Sequence, residues 1–230
     1  MDELEIEGVF VGKPSLLGEQ RGMPVRSAIT KHRVTARQLA LDELNLAGDD
    51  QADRTVHGGV DKAVYVYPAE HYDGWVADSF ALEPGSVGEN VSVRGADERT
   101  VRLGDVWEWG DALVEVCQPR TPCFKFALKA GRKDAIPAMI DSGRSGWYLR
   151  VLRPGTVPTS GRMRLVERDP ASPTLAEVYL VYFANPGALG DRLPAYRALG
   201  ERIVAAPALA AQFRAGILRK LMRLDGGHAA

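Results

Sequence analysis

The chain has 230 residues, 45% of them apolar and 26% charged, with 29 basic against 30 acidic side chains. That length fits one large domain, or one with a small appendage. The apolar content excludes a disordered chain, and the near-zero net charge argues against a nucleic-acid-polymer binder or a polybasic membrane anchor. No apolar run approaches the roughly 18–20 residues of a membrane span. The opening Met1-Asp2-Glu3-Leu4-Glu5 is acidic, unlike a secretory signal. The expectation is a cytoplasmic protein whose two cysteines, Cys117 and Cys123, are free thiols.

The first two thirds read as short strands rich in Val, Ile, Tyr and Trp, most of them bounded by Gly, Pro, Asp or Asn. In chain order they are Glu5–Val11, Val25–Val34, Leu39–Leu46, Ala63–Tyr67, Asn90–Val93, Val106–Trp109, Leu113–Cys117, Trp147–Leu152 and Arg162–Val166. Short helices interrupt them at Pro68–Val76, Phe124–Ala130 and Asp134–Ile140. Strands and helices do not alternate regularly, so a closed or nearly closed barrel with helical insertions fits better than a doubly wound sheet.

The composition changes at Glu167-Arg168-Asp169-Pro170-Ala171-Ser172-Pro173, which reads as a linker. Three amphipathic helices follow, carrying Leu175, Val178, Tyr179 and Tyr182, then Leu189, Leu193, Tyr196 and Ile203, then Leu209, Phe213, Ile217 and Leu221. Thr174 and Glu177 have capping-box spacing. The expected organisation is mainly β, with a barrel domain over residues 1–168 and a small C-terminal three-helix domain over 169–230.

Common motifs are absent. There is no phosphate-cradling Gly-Lys-Ser/Thr loop and no dinucleotide fingerprint. In Gly143-Arg144-Ser145-Gly146-Trp147, tryptophan stands where a nucleophile elbow needs glycine. The histidines show no zinc spacing. The unusual segment is Gln118-Pro119-Arg120-Thr121-Pro122-Cys123-Phe124-Lys125. Its prolines hold the backbone extended after a strand, which leaves Cys123 at the start of a helix. That position, with cations on either side, favours a thiolate, which is both a nucleophile and a soft-metal ligand. An inert buried cysteine is the plain alternative, and inertness is expected of Cys117, inside an apolar strand.

A polar loop runs from Gly48-Asp49-Asp50-Gln51-Ala52-Asp53 to His57-Gly58-Gly59-Val60-Asp61-Lys62. Such a loop is either a solvated connection or a binding loop on a rigid scaffold. Its carboxylates can accept hydrogen bonds, and His57 and Lys62 can neutralise a phosphate. Arg26, Ser27 and Lys31 offer cations and a hydroxyl near one strand, and Gly88-Glu89-Asn90 precedes another. A cysteine hydrolase with Cys123 as nucleophile and His57 as base is one chemistry this set permits.

Jointly, these pieces resemble the MOSC domain, the C-terminal domain type of molybdenum cofactor sulfurases, and more narrowly its YiiM-like branch. The matching stretches, in order, are Val25-Arg26-Ser27-Ala28-Ile29, Gly48 to Asp53, His57-Gly58-Gly59 with Asp61-Lys62-Ala63, Tyr67 to Tyr72, Gly88-Glu89-Asn90, Gln118 to Lys125 and Ser142 to Tyr148. The chain departs at Gly161-Arg162, where family members often have Gly-Asp.

The resemblance implies a MOSC-type β-barrel and a molybdopterin-type molybdenum cofactor bound through the Cys123 thiolate. It implies catalytic roles for Cys123, Asn90 and His57. Cofactor-binding residues by the same resemblance are Arg26, Ser27, Lys31, Asp49, Asp53, His57, Asp61, Lys62, Glu89 and Arg120. The implied activity is reduction of N-hydroxylated small molecules (hydroxylamino purines, amidoximes, hydroxylamines) to amines. The chain has no flavin motif and too few cysteines for an iron–sulfur cluster. A separate electron-donor reductase, of flavin or iron–sulfur type, is therefore expected. A non-catalytic carrier of the cofactor or of sulfur is the alternative.

Overall fold

The computed structural model describes residues 2–50 and 58–226. Its strands are β1 (Glu3–Val11), β2 (Ser15–Gln20), β3 (Met23–Ser27), β4 (His32–Arg33), β5 (Gln38–Leu41), β6 (Val64–Pro68), β7 (Val91–Arg94), β8 (Val106–Trp109), β9 (Ala112–Pro119), β10 (Trp147–Arg153), β11 (Gly155–Pro158) and β12 (Gly161–Glu167). The helices are α1 (His71–Ala77), α2 (Phe124–Ala130), α3 (Ala135–Ser142), α4 (Leu175–Phe183), α5 (Leu193–Ala205) and α6 (Ala211–Gly226).

Seven strands close a barrel in the order β12-β8-β9-β10-β6-β7-β1, with β1 returning to β12. All neighbours are antiparallel except β6 and β7. Alternation builds the wall: along β9, Ala112, Val114 and Val116 point inward while Leu113 and Glu115 are half-buried. Closure removes the unpaired edges an open sheet would present. Trp107, Trp109 and Trp147 fill the interior with Val64, Val66, Val91 and Val93.

The helices after residue 174 complete this core. Leu175, Val178, Ile203, Phe213 and Ile217 are buried in the same apolar cluster as the barrel residues. The capping box forms as expected: Glu177 N–H donates to Thr174 Oγ1 at 3.2 Å, and Thr174 N–H donates to Glu177 Oε2 at 2.8 Å. Among the described residues no helix is long and apolar enough to cross a membrane.

Several boundaries differ from expectation. Val25–Val34 is not one strand: β3 ends at Ser27, and only His32 and Arg33 pair again, on β1. The chain leaves the sheet between them to reach the cleft described below. Leu39–Leu46 shortens to β5 plus an isolated bridge from Leu41 to Leu46. Pro68 closes β6 instead of opening a helix, in register with Val93, and the next N–H, on Ala69, donates to the Val93 carbonyl at 2.7 Å. Leu189 lies in a 3-10 linker before α5, whose first turn holds Pro194 where a missing N–H costs nothing.

Candidate functional site

One open cleft gathers segments distant in sequence. Its lining includes Ser27, Lys31, Asp49, Asp50, Lys62, Tyr65, Asn90, Arg120, Cys123, Lys125 and Tyr148. The end of β3 delivers Ser27, and the excursion after it delivers Lys31. A 3-10 turn, Val60–Lys62, places Lys62 at the rim, where Nζ donates to Gln212 Oε1 of α6 at 2.9 Å.

Cys123 stands at the N-cap of α2 in extended conformation (φ −135°, ψ 170°). Its carbonyl accepts the Phe126 N–H at 2.9 Å, and its side chain is partly exposed. Cys117, by contrast, is fully buried in β9, with Sγ 3.2 Å from the Asp61 carbonyl, and burial pushes its pKa up.

Arg120 is buried between aromatic rings, 5.0 Å from the centroids of both Tyr65 and Phe126. Its Nη1 donates to the Tyr65 hydroxyl at 3.3 Å. Arginine stays protonated throughout the accessible pH range, and here the ring faces and the Tyr65 hydroxyl offset its burial, so the guanidinium is a fixed cation. The Arg120 N–H is anchored on the Gly146 carbonyl at 3.2 Å. Gly146 has φ 62°, and a Cβ there would lie 2.4 Å from the Val66 carbonyl oxygen, so only glycine fits.

Asp49 organises the opposite wall. Its carboxylate accepts Lys31 Nζ at 2.6 and 2.7 Å, Gly12 N–H at 2.8 Å and Asn90 Nδ2 at 2.8 Å. Asn90 in turn accepts the Tyr65 N–H at 3.0 Å through Oδ1. Desolvation lowers the pKa of Lys31, with Asp49 opposing. Burial likewise lowers that of Lys62, against the pull of Asp61. The lining thus holds the cations Lys31, Lys62, Arg120 and Lys125 against the carboxylates Asp49 and Asp50.

Of the residues named from sequence, Ser27, Lys31, Asp49, Lys62, Asn90, Arg120 and Cys123 converge here. Asp53 and His57 lie outside the described residues. Three others face elsewhere. Arg26 is exposed and donates to the Pro14 carbonyl at 2.9 Å. Asp61 accepts Arg150 Nε at 2.7 Å, which ties the 3-10 turn to β10. Glu89 is fully buried behind the wall, where Oε1 accepts Tyr72 Oη at 2.5 Å, Gly85 N–H at 2.6 Å and Ser92 Oγ at 3.0 Å.

Tyr65 and Tyr148, their rings 5.0 Å apart, were not singled out from sequence. Alternating tyrosines in β6 were the available signal, but period two reads equally well as packing. Glu98 was also missed. Buried, it accepts the Gly146 N–H through Oε1 at 2.5 Å and bonds His71 Nε2 through Oε2 at 2.8 Å.

Fold and cleft together define a closed β-barrel that presents a half-buried thiol among cations. The MOSC domain family matches residues 53–162. The protein YiiM of Escherichia coli is 39% identical over 165 residues, covering 70% of this chain and 71% of that protein. The crystal structure of YiiM from Geobacillus stearothermophilus superposes with a TM-score of 0.76 at 30% identity, covering 95% of this chain and 99% of that one. A Gibberella moniliformis protein named as a reductase is 36% identical over 171 residues, 72% of this chain but only 29% of its own length. The chain belongs to the MOSC domain family.

Proposed function

We propose that the chain is a molybdenum-cofactor-dependent reductase of N-hydroxylated compounds, with the Cys123 thiolate as the protein's ligand to the metal. The observation that carries this reading is the partly exposed Cys123 thiol in a cleft lined by Lys31, Lys62, Arg120 and Lys125. A molybdopterin-type group carries a phosphate and a dithiolene, and a cation-rich cleft with a soft sulfur donor suits both. Among the described residues no three His, Cys, Asp or Glu side chains converge as a metal site. A metal held at Cys123 therefore suits a cofactor that brings other ligands of its own.

When bound, that group supplies the two-electron oxygen-atom chemistry. The chain's residues do the rest. Arg120, fixed between two rings, and Lys125 offset the cofactor's negative charge. Ser27 and Lys31 are assigned to its phosphate or the metal's oxo groups. Asp53 and His57 are assigned to the pterin by resemblance, together with Asp49, whose carboxylate also sets Lys31 and Asn90. Each substrate takes up two electrons and two protons; its N–O bond breaks, leaving an amine and water. Lys62 Nζ is the proposed proton source, because burial makes its ammonium a stronger acid than a solvated lysine.

The electrons are proposed to come from a separate flavin or iron–sulfur reductase. The Gibberella relative supports that pairing, since its segment similar to this chain is a minor part of a longer protein named a reductase. The test is reduction of a hydroxylamino purine by cofactor-loaded protein with reduced methyl viologen as donor. Turnover in wild type and its loss in Cys123→Ser are expected. Equal turnover in both would remove Cys123 from this role.

A further inference from the structure

Helix α6 has two contrasting faces. Phe213, Ile217 and Leu221 are buried in the core. Opposite them, Gln212, Ala215, Leu218, Arg219, Met222 and Arg223 are exposed at helical spacing. Two are large apolar side chains in water, Leu218 at 40% and Met222 at 68% exposure. Neither Arg219 nor Arg223 has an ion-pair partner among the described residues.

This stripe starts at the cleft, because Gln212 bonds Lys62 on its rim at 2.9 Å. From there to Arg223 it runs roughly 16 Å along the helix axis. The charge distribution is lopsided in the same sense. Residues 174–230 carry 7 Lys and Arg against 4 Asp and Glu, whereas residues 1–173 carry 22 against 26.

We propose that this face of α6 is the docking surface for an acidic electron-carrier protein, which delivers reducing equivalents at the Lys62 end of the cleft. The proposal rests on the reductase reading above, which requires electrons from outside the chain. Complementary charge steers such encounters and makes them sensitive to salt. Leu218 and Met222 supply the apolar centre, and the two arginines a charged rim. A membrane surface is the less fitting occupant, because the broad apolar side of α6 is already spent on the core and only two large apolar residues face out.

The test uses the cofactor-loaded full chain and a flavodoxin, an acidic flavin protein, as probe. Binding is measured by calorimetry at low and high salt, and substrate reduction is driven by reduced flavodoxin or by reduced methyl viologen, which needs no docking. Wild type should bind the carrier, with affinity falling steeply as salt rises. Arg219→Glu/Arg223→Glu should lose at least tenfold in binding and in carrier-driven rate. Its viologen-driven rate should stay within twofold, which also shows that the variant folds. Arg162→Glu, a charge reversal on β12, should change neither. Equal binding by wild type and the α6 variant, or no salt-sensitive binding at all, overturns the proposal. So does binding of wild type to anionic phospholipid vesicles but not to flavodoxin. Failure of the viologen-driven reaction in wild type would instead strike the reductase reading, and the binding comparison would still decide the surface.

Discussion

Asp49→Ala removes the carboxylate from a buried ion pair whose side chains are only 7% exposed for Lys31 and 3% for Asp49. It strips Lys31 Nζ of both its bonds at 2.6 and 2.7 Å and leaves the Gly12 N–H and one Asn90 Nδ2 bond unmet. Breaking one side of a buried pair costs about 3–5 kcal/mol. For a chain of this size that lowers Tm by roughly 10 °C. The loss should depend on pH. Lys31 has a folded pKa below its unfolded value, so between the two the unfolded chain holds more protons and stability rises with pH. Without Asp49 the folded value falls further. The unfolded state is common to both proteins, so the variant's deficit is large near neutrality and shrinks as pH climbs through the wild-type folded pKa of Lys31, which burial holds below the ordinary lysine value. Urea unfolding at pH 7 and pH 9.5 measures both effects. Lys31→Met/Asp49→Ala should recover most of the loss, since it removes the stranded charge. A deficit under about 1 kcal/mol at pH 7, or one equal at the two pH values, would refute this account of the wall.

Gly146→Ala should cost at least about 2 kcal/mol, because the added Cβ meets the Val66 carbonyl oxygen at 2.4 Å and φ is 62°; thermal unfolding reads it, and an unchanged Tm would contradict the packing. Tyr72→Phe should cost about 1–3 kcal/mol by stripping buried Glu89 of its 2.5 Å bond, measured by urea unfolding. Lys62→Met should lower the turnover per bound molybdenum of the loaded enzyme. In wild type the alkaline limb of the rate profile should lie below the ordinary lysine range, since burial lowers the Lys62 pKa, and that limb should vanish in the variant.

Most of the barrel was legible because its strands either alternate, as Ala112, Val114 and Val116 do in β9, or form short buried runs of Val and Tyr, as β6 does. The exceptions have two physical causes. The β2–β3 hairpin buries little, so Leu16 and Met23 stay exposed and no alternation marks β2. β11 is bracketed by Pro154 and ends on Pro158, which reads as a break although an edge strand tolerates proline. In the cleft, Cys123 announced itself through the prolines and cations around it. Tyr148 did not, nor did Glu98 outside the lining, because their partners Tyr65 and Gly146 are long-range in sequence. Asp61 and Glu89 sit beside cleft residues in sequence, but their side chains turn to Arg150 and to Tyr72.

Molybdenum content tests the central claim most directly. Wild type and Cys123→Ala should be produced side by side in a host that makes the pterin cofactor, and the metal measured by elemental analysis. Near-stoichiometric molybdenum in wild type with sharp loss in the variant is the predicted result. Equal metal in both proteins, or none in either, would contradict the assignment of Cys123 as its ligand.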